Sequence, residues 1–461
     1  MKKRSYRSVN VKKVDAERLA EAVRGERVVL GVDVAKERVF GSVMVARGEE
    51  VKLNIGWRNP TEARELVDLV TSLPAADLEV ALEPSGTYGD PLRWLFLERG
   101  VKVFRVSPKR SHDAAEVYDG VASWHDVKSA GLIAKLHLHG ASEEWPLRSE
   151  DERDLAAELR TMVMYDKQEH SNLNRLEAQL ARHWPELTGG LGLASATLVE
   201  LVKEYGSPDA VANDEAGARR LMRRIGGHFL KRDKVERVLE GAASSIGVPV
   251  IDRERAAIKE LAAEILRCRV NGRAAEARVV ALVDGQETTS RVGKVVGKPT
   301  AAVLVSGVGD LGRHESPSSL LKAFGLNLKE RSSGKHQGQL KITKRGPGDC
   351  RFYLYLAALR LLTRDPVVGR WYERKVARDG GKVKNKAVIA VMRKLVKALW
   401  HVARGAEFDS RLLFDVGKLG FEVPTQAGTS PPLTTAAGPS ERCSTSGLKH
   451  VGEGLQEAGL I

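Results

Sequence analysis

Three carboxylates stand where an element begins or ends. Asp33 closes an apolar run in VLGVDVAKE, Glu83 closes another in LEVALEPSGTYG, and Asp126 opens a helix-like stretch in SWHDVKSAGLIAKL. Carboxylate oxygens are the hard ligands that Mg²⁺ or Mn²⁺ accepts, and gathering several costs repulsion that a cation removes. A metal so held can orient a phosphodiester and stabilise the charge that develops as it is displaced. Each acid taken alone has a plainer role, capping a strand end or a helix N-terminus. The chemical reading requires all three to converge.

A second cluster is of another kind. KERSSGKHQGQLKITKRG, Lys329 to Gly346, sets Ser332, Ser333 and Gly334 among six Lys and Arg residues with one acid, Glu330. A serine hydroxyl is a poor nucleophile until its proton is removed or its product charge is stabilised. Arg331, Lys335, Lys341, Lys344 and Arg345 can hold a phosphate beside it, while Gly334 lets a backbone come close. By composition alone, a solvated loop that touches nucleic acid without reacting is the better reading of the segment. Histidines add little, since His137 and His139 are two apart on a helix and cannot share a face, which argues against zinc near Asp126.

The elements that must position the acids can be read in order. RVVLGVD, RVFGSVMVA and VKLNIGW are three closely spaced apolar runs that predict an antiparallel meander. A helix over TEARELVDLVTSL, a strand LEVALE, a helix from about Gly89 to Glu98, a strand VKVFRV and a helix from Asp126 to His139 follow. This is the order of an α/β RNase H-like domain, expected over residues 27–145 behind a basic N-terminal extension, 1–26. In such a sheet the first and fourth strands are neighbours, and the last helix can bring Asp126 to the ends that carry Asp33 and Glu83.

Beyond it the period changes. Leu155, Leu159, Met162, Leu173, Leu176 and Leu180 keep a three-four spacing broken by Asp166 and Glu169, and Ile258, Leu261, Ile265, Cys268, Gly272, Ala275, Val279 and Leu282 form a cleaner run. Two such helices predict an antiparallel coiled-coil hairpin over 150–290 with a helical insert at 191–249. A mostly helical domain over 293–408 contains the serine cluster. Its helices DCRFYLYLAALRLL and NKAVIAVMRKLVKALWHVA are expected to bury Phe352, Leu356 and Leu359, and Val388, Val391, Leu395, Leu399 and Val402. Residues 421–461, rich in Pro, Ser, Thr and Gly, predict a disordered tail.

Charge points to a polyanion. The chain of 461 residues carries a formal net charge of +14, and Arg291 to Arg404 alone holds 25 Lys+Arg against 7 Asp+Glu, a surplus of 18. Such a surplus gains free energy by releasing counterions condensed on nucleic acid. The three cysteines show no paired metal-binding spacing, and no apolar run approaches the ~18 residues of a membrane span. A reduced, cytoplasmic protein without a membrane partner is the expectation.

Together GVDVAKE, LEPSGTYG and HDVKSAGLIAKL, followed by a helical segment and then FGLNLKERSSGKHQGQLKITKRG, resemble the RuvC-like transposases of the insertion-sequence one-hundred-and-ten family. These are also called DEDD transposases or bridge-RNA-guided recombinases. The resemblance spans roughly Val28 to Phe408. It implies a RuvC-like N-terminal domain, a coiled-coil linker and a C-terminal transposase domain with a catalytic serine. Asp33, Glu83 and Asp126 match the first three acids of the family's tetrad, which would hold Mg²⁺ or Mn²⁺. The fourth falls three residues after Asp126, where this chain has Ser129, a weak and neutral ligand. Either three acids suffice, or a nearby acid such as Asp119 substitutes, or metal binding is impaired. The nucleophile falls on Ser333, before Gly334, with Ser332 as the near alternative.

The implied function is RNA-guided DNA transposition or recombination. The acids and a serine that becomes covalently joined to DNA would cut and rejoin target and donor DNA chosen by a guide (bridge) RNA. A homo-oligomer, a tetramer on synaptic DNA, would combine the acids of one subunit with the serine of another. Two other readings stand beside it: a metal-dependent, structure-selective nuclease with water as nucleophile, and a nucleic-acid-binding protein whose catalytic site is impaired.

Overall fold

A computed structural model of the chain describes residues 7–119, 125–333, 336–381 and 384–420, and the apolar runs at its N-terminal end build one mixed sheet. The elements are β1 (Val9–Asn10), α1 (Ala16–Val23), β2 (Arg27–Asp33), β3 (Arg38–Val45), β4 (Glu50–Arg58) and α2 (Ala63–Thr71). After these come β5 (Asp77–Glu83), α3 (Asp90–Glu98), β6 (Lys102–Val106), α4 (Pro108–Asp119), α5 (Asp126–Leu138) and β7 (Ser142–Glu144). Across the sheet the order is β1-β4-β3-β2-β5-β6-β7. The meander β2–β4 is antiparallel, and β5 joins the free side of β2 in parallel.

Strand β2 is covered on both faces, which is why it reads V-V-L-G-V without polar alternation. Val28, Leu30 and Val32 enter a core with Leu19 and Val23 of α1, Leu66 and Val70 of α2, and Phe96 of α3. Val29 points the other way, with Ala81 and Val106, onto Ile133 and Ala134 of α5. The segment 1–26, read from the sequence as a basic extension, is built into this domain over its described part. Val9 and Asn10 pair in parallel with Ile55 and Gly56. Leu19 and Val23, four apart and thus on one helix face, are buried while the charges of α1 face out.

The chain divides between Ser149 and Glu150 into two units. In the second, α6 (Glu150–His183) and α12 (Asp252–Asp284) pack antiparallel, because Glu158 meets Arg278, Glu169 meets Arg269 and His183 meets Glu254. Between them α7 (Leu187–Gly190), α8 (Ala196–Tyr205), α9 (Pro208–Asn213), α10 (Glu215–Gly226) and α11 (Arg232–Ala243) form a helical module. Its core of Leu198, Val202, Val211, Met222 and Val235 is continuous with Leu176, Leu180, Ile258 and Ile265 of the hairpin. The break in the apolar pattern at Glu169 is an ion pair. Arg269 donates to Glu169 at 2.8 Å and to the Ala194 carbonyl at 2.9 Å, and both charged residues are buried.

The other end of the hairpin belongs to the C-terminal core, where Leu155, Leu159, Val279 and Val283 are buried with the helices that follow. These are α13 (Glu287–Val296), α14 (Lys298–Val308), α15 (Pro317–Ala323), α16 (Gly348–Arg364), α17 (Pro366–Arg378), α18 (Lys384–Ala403) and α19 (Val416–Leu419), with the strands β8 (Leu328–Ser333) and β9 (His336–Ile342) between α15 and α16. The domain therefore overruns the expected 293–408 on both sides, through Val292 of α13 and through Phe414, Val416 and Leu419. A four-residue helix such as α19 is too short to show a period. In α18 the stripe Val388, Val391, Leu395, Leu399 and Val402 is buried. In α16 the buried face is Leu354, Tyr355 and Ala358, whereas Phe352, Leu356 and Leu359 are only partly covered. The segment 421–461 lies outside the described residues. Among the described residues, no helix is long and apolar enough to cross a membrane.

The Glu169–Arg269 pair supports a prediction. Arg269→Ala leaves a buried carboxylate without its partner and should lower unfolding free energy by about 3–5 kcal/mol, whereas Glu169→Leu combined with Arg269→Met should regain most of it. Urea unfolding of the three variants checks this; equal loss in the single and double variants would show that the pair is not what the seam needs.

Candidate active site

The two strand ends are side by side. In the parallel pair β2/β5, Asp33 lies in register with Glu83, just as Gly31 does with Ala81 and Val29 with Glu79. Paired positions of parallel strands face the same way, so both carboxylates lie on the side of the sheet covered by α5. That helix sits unusually deep. A Cβ on Gly31 would fall 2.2 Å from the Ala130 carbonyl oxygen and 2.5 Å from the Ala134 nitrogen. Only glycine lets the helix backbone come down onto the strand.

The depth of α5 sets what its first turn touches. Asp126 is its first residue, exposed at the positive end of the helix dipole. One turn on, Ser129 is buried, and its hydroxyl donates to the Asp33 carboxylate. Asp33 itself is half-buried. Burial, followed by the charges of Glu83 and Asp126, pushes its pKa from the ordinary 3.8 up to about 6, although the Ser129 hydrogen bond pulls the other way. The charges of Glu83 and Asp126 thus both act on Asp33, and Ser129 hydrogen-bonds to it.

Among the described residues, no three His, Cys, Asp or Glu side chains are gathered tightly enough to enclose a metal ion as they stand. The acids form an open edge, not a closed cage. Their donor chemistry fits a hard divalent cation, because carboxylate oxygens are its preferred ligands and the charges of Glu83 and Asp126 already crowd Asp33. Asp119, the other candidate acid, ends α4. Its side chain lies outside the described residues.

The remaining polar groups of α5 are structural. At its far end buried His137 lies 3.2 Å from Glu79 and 2.7 Å from the Ser142 hydroxyl, stacked against Phe104. His139 reaches Glu49 instead, at 2.5 Å, so the two histidines do point apart. Lys128, a buried cation between Asp126 and Ser129, was not singled out from the sequence, because a lone lysine in a helix gives no pattern.

The serine cluster is a β-hairpin. Strands β8 and β9 pair antiparallel, with Ser333 opposite His336 and an irregularity between Arg331 and Ser333. The side chains of Arg331, Ser332 and Ser333, and Gly334 and Lys335 altogether, lie outside the described residues. Lys329 and Lys341 are directly opposite each other and exposed, a like-charge pairing that destabilises a hairpin unless an anion neutralises it. Lys344, also exposed, holds a left-handed backbone with φ 56°, costly for a residue with a Cβ. It is pinned there by its own N–H donating to the Gly325 carbonyl at 2.9 Å. Arg345 beside it is exposed, and buried Arg351 donates to the Gly346 carbonyl at 2.7 Å beneath the turn. Lys341, Lys344 and Arg345 thus share the hairpin and its exit. On α18, Arg393 and Lys394 are spent on the carbonyls of Leu326 and Leu413.

Comparison with known proteins meets this geometry at both ends. Residues 30–185, which carry Asp33, Glu83 and Asp126, match a family model described as a transposase, the DEDD type of IS110 elements. Residues 293–373, which carry the hairpin, match the transposase IS116/IS110/IS902 family. The chain belongs to the IS110 family of transposases. It is also 25% identical, over 357 residues covering 74% of this chain and 86% of the relative, to the insertion element IS900 uncharacterized 42 kDa protein of Mycobacterium paratuberculosis. As a transposase of this family the chain is an enzyme that acts on DNA, and both clusters of the IS110 transposase lie within the matched segments.

The raised pKa of Asp33 generates a prediction with a definite sign. A carboxyl whose pKa is higher folded than unfolded takes up a proton on folding, so its ionisation costs stability above about pH 6 and the cost fades toward pH 4. Asp33→Asn keeps an acceptor for Ser129 and removes the charge. Without divalent cations it should be more stable than the parent by on the order of 1–3 kcal/mol at pH 7.5 and equal to it near pH 4. Mg²⁺ should then stabilise the parent and not the variant. Denaturant melts in EDTA and in Mg²⁺ test both; loss of stability in Asp33→Asn at pH 7.5 would mean that the acids do not crowd one another.

Proposed function

We propose that the N-terminal unit is an RNase H-like domain of the RuvC type, and that Asp33, Glu83 and Asp126 hold Mg²⁺ or Mn²⁺ there for phosphoryl transfer on DNA. The observation that carries this reading is the in-register placement of Asp33 beside Glu83 with the charge of Asp126 acting on Asp33. A bound cation would neutralise phosphate oxygens and the oxygen of the departing strand. Ser129 orients Asp33 by donating to one of its oxygens and leaves the other for ligation.

In this reading Ser333 is the nucleophile, with Ser332 its near alternative. Its Oγ loses a proton and attacks phosphorus, the bond from phosphorus to the leaving strand's oxygen breaks, and that oxygen takes up a proton. A serine–phosphate ester to DNA results, and the reverse attack by a DNA hydroxyl rejoins strands and frees the serine. Arg331, Lys335, Lys341, Lys344 and Arg345 hold the flanking phosphates. The opposed Lys329 and Lys341 support this role, because their mutual repulsion relaxes when an anion arrives.

A guide (bridge) RNA transcribed with the element chooses target and donor DNA by base pairing, while the protein holds backbone and shape. The acids of one subunit serve the serine of another within an oligomer, a tetramer on synaptic DNA. These features rest on the family resemblance together with the excess of cations between Arg291 and Arg404.

The test is complementation. Ser333→Ala and Asp33→Asn should each abolish strand cleavage while leaving DNA binding within about twofold, since one hydroxyl or one acid adds little to a multivalent phosphate interface. Mixed and allowed to exchange subunits, the two should recover cleavage, with DNA joined covalently only to the Asp33→Asn chain. Cleavage by Ser333→Ala alone, without an adduct, would leave the acids working with water as a nuclease.

A further inference from the structure

The helical module between α6 and α12 has a surface that the acids and the hairpin do not use. Helix α10 ends at Gly226, and Gly227 takes φ 55° and ψ −147°, a region that only glycine enters without strain. The 3₁₀ turn Gly227–Phe229 follows. Leu230 packs inward against the module's core, directly under Gly226. Phe229 is consequently held outward and is 85% exposed, more than any other aromatic residue described. The His228 ring lies against it with centroids 3.9 Å apart.

Cations flank this pair of rings in the sequence. From Arg219 to Lys234 there are seven Lys and Arg residues and one acid, Asp233. Arg219 is tied to Glu215 and Glu236, Arg232 reaches Glu236, and Asp233 pairs with Arg237. Arg223 and Arg224 at the end of α10, and Lys231 and Lys234 at the start of α11, are exposed and have no carboxylate within salt-bridge distance among the described residues. Four exposed cations without an ion-pair partner among the described residues flank the exposed ring in sequence, and phosphate can pair with them. The ring itself needs a flat apolar face, which an unpaired base offers and a stacked duplex hides.

We propose that the 223–234 turn docks single-stranded DNA, stacking an unpaired base on Phe229 and His228 and holding flanking phosphates with Arg223, Arg224, Lys231 and Lys234. The inference is independent of the acidic site and of the serine. It assigns the insert the role of holding strand that is not base-paired.

The full chain should be titrated with a labelled single-stranded DNA of about 20 nucleotides, the matching duplex and the matching single-stranded RNA. Phe229→Ala should weaken single-stranded DNA binding about tenfold and leave duplex binding within about twofold, while Phe229→Trp keeps the parent affinity. Arg223→Gln with Lys231→Gln should flatten the salt dependence of single-strand binding. Because Phe229 is exposed, these variants should melt like the parent. A single strand carrying 5-iodouracil, irradiated on the full chain, should cross-link to residues 227–229. Unchanged single-strand affinity in Phe229→Ala, or cross-links that avoid this turn, would overturn the proposal. So would an equal loss on duplex, which marks a general phosphate patch, or a loss confined to RNA.

Discussion

The acidic edge depends on how closely one helix approaches one strand. Because Gly31 has no Cβ, the backbone of α5 rests at Ala130 and Ala134 directly on β2. From that depth the Ser129 hydroxyl reaches Asp33 at one end of the helix and His137 reaches Glu79 at the other. Any side chain at position 31 would lift the helix and draw Asp126 and Ser129 away from the strand ends together. The sheet supplies Asp33 and Glu83 in fixed register, and the helix supplies the third charge.

Both clusters store unfavourable electrostatics in the same way. At the sheet end, half-buried Asp33 carries a pKa pushed to about 6; at the hairpin, Lys329 faces Lys341 across the strands. Neither arrangement serves the stability of the free protein. Each gathers charge of one sign, negative at the sheet end and positive at the hairpin, which costs free energy wherever like charges are held close.

The hairpin α6–α12 is more than a spacer. Its base lies in the C-terminal core through Leu155, Leu159, Val279 and Val283, and its distal half is the floor of the helical module through Leu176, Leu180 and Ile265. Between the two cores stands the buried Glu169–Arg269 pair, which also ties the Ala194 carbonyl. An ion pair matched at one register and mismatched at every other fixes how the two helices align, and thereby where the exposed turn around Phe229 is carried.

Much of this was legible in the chain itself. Short, nearly continuous apolar runs marked β2, β3, β4, β5 and β6, and Asp33 and Glu83 stand in the sequence at the ends of two of them. Side-chain period and charge surplus are local properties, and local sequence states them. What it could not state was decided by contacts between distant segments. Val9 and Asn10 become an edge strand only because β4 offers a free edge, and Glu169 looks like a defect in an apolar seam until Arg269, one hundred residues later, meets it. Ser129 reads as a missing acid, yet its hydroxyl is bonded to Asp33 because Gly31 lets α5 settle. The insert showed only broken helices in sequence. Its exposed ring among unpaired cations arose from the fold of one turn, where a glycine at φ 55° sends Leu230 inward and Phe229 out.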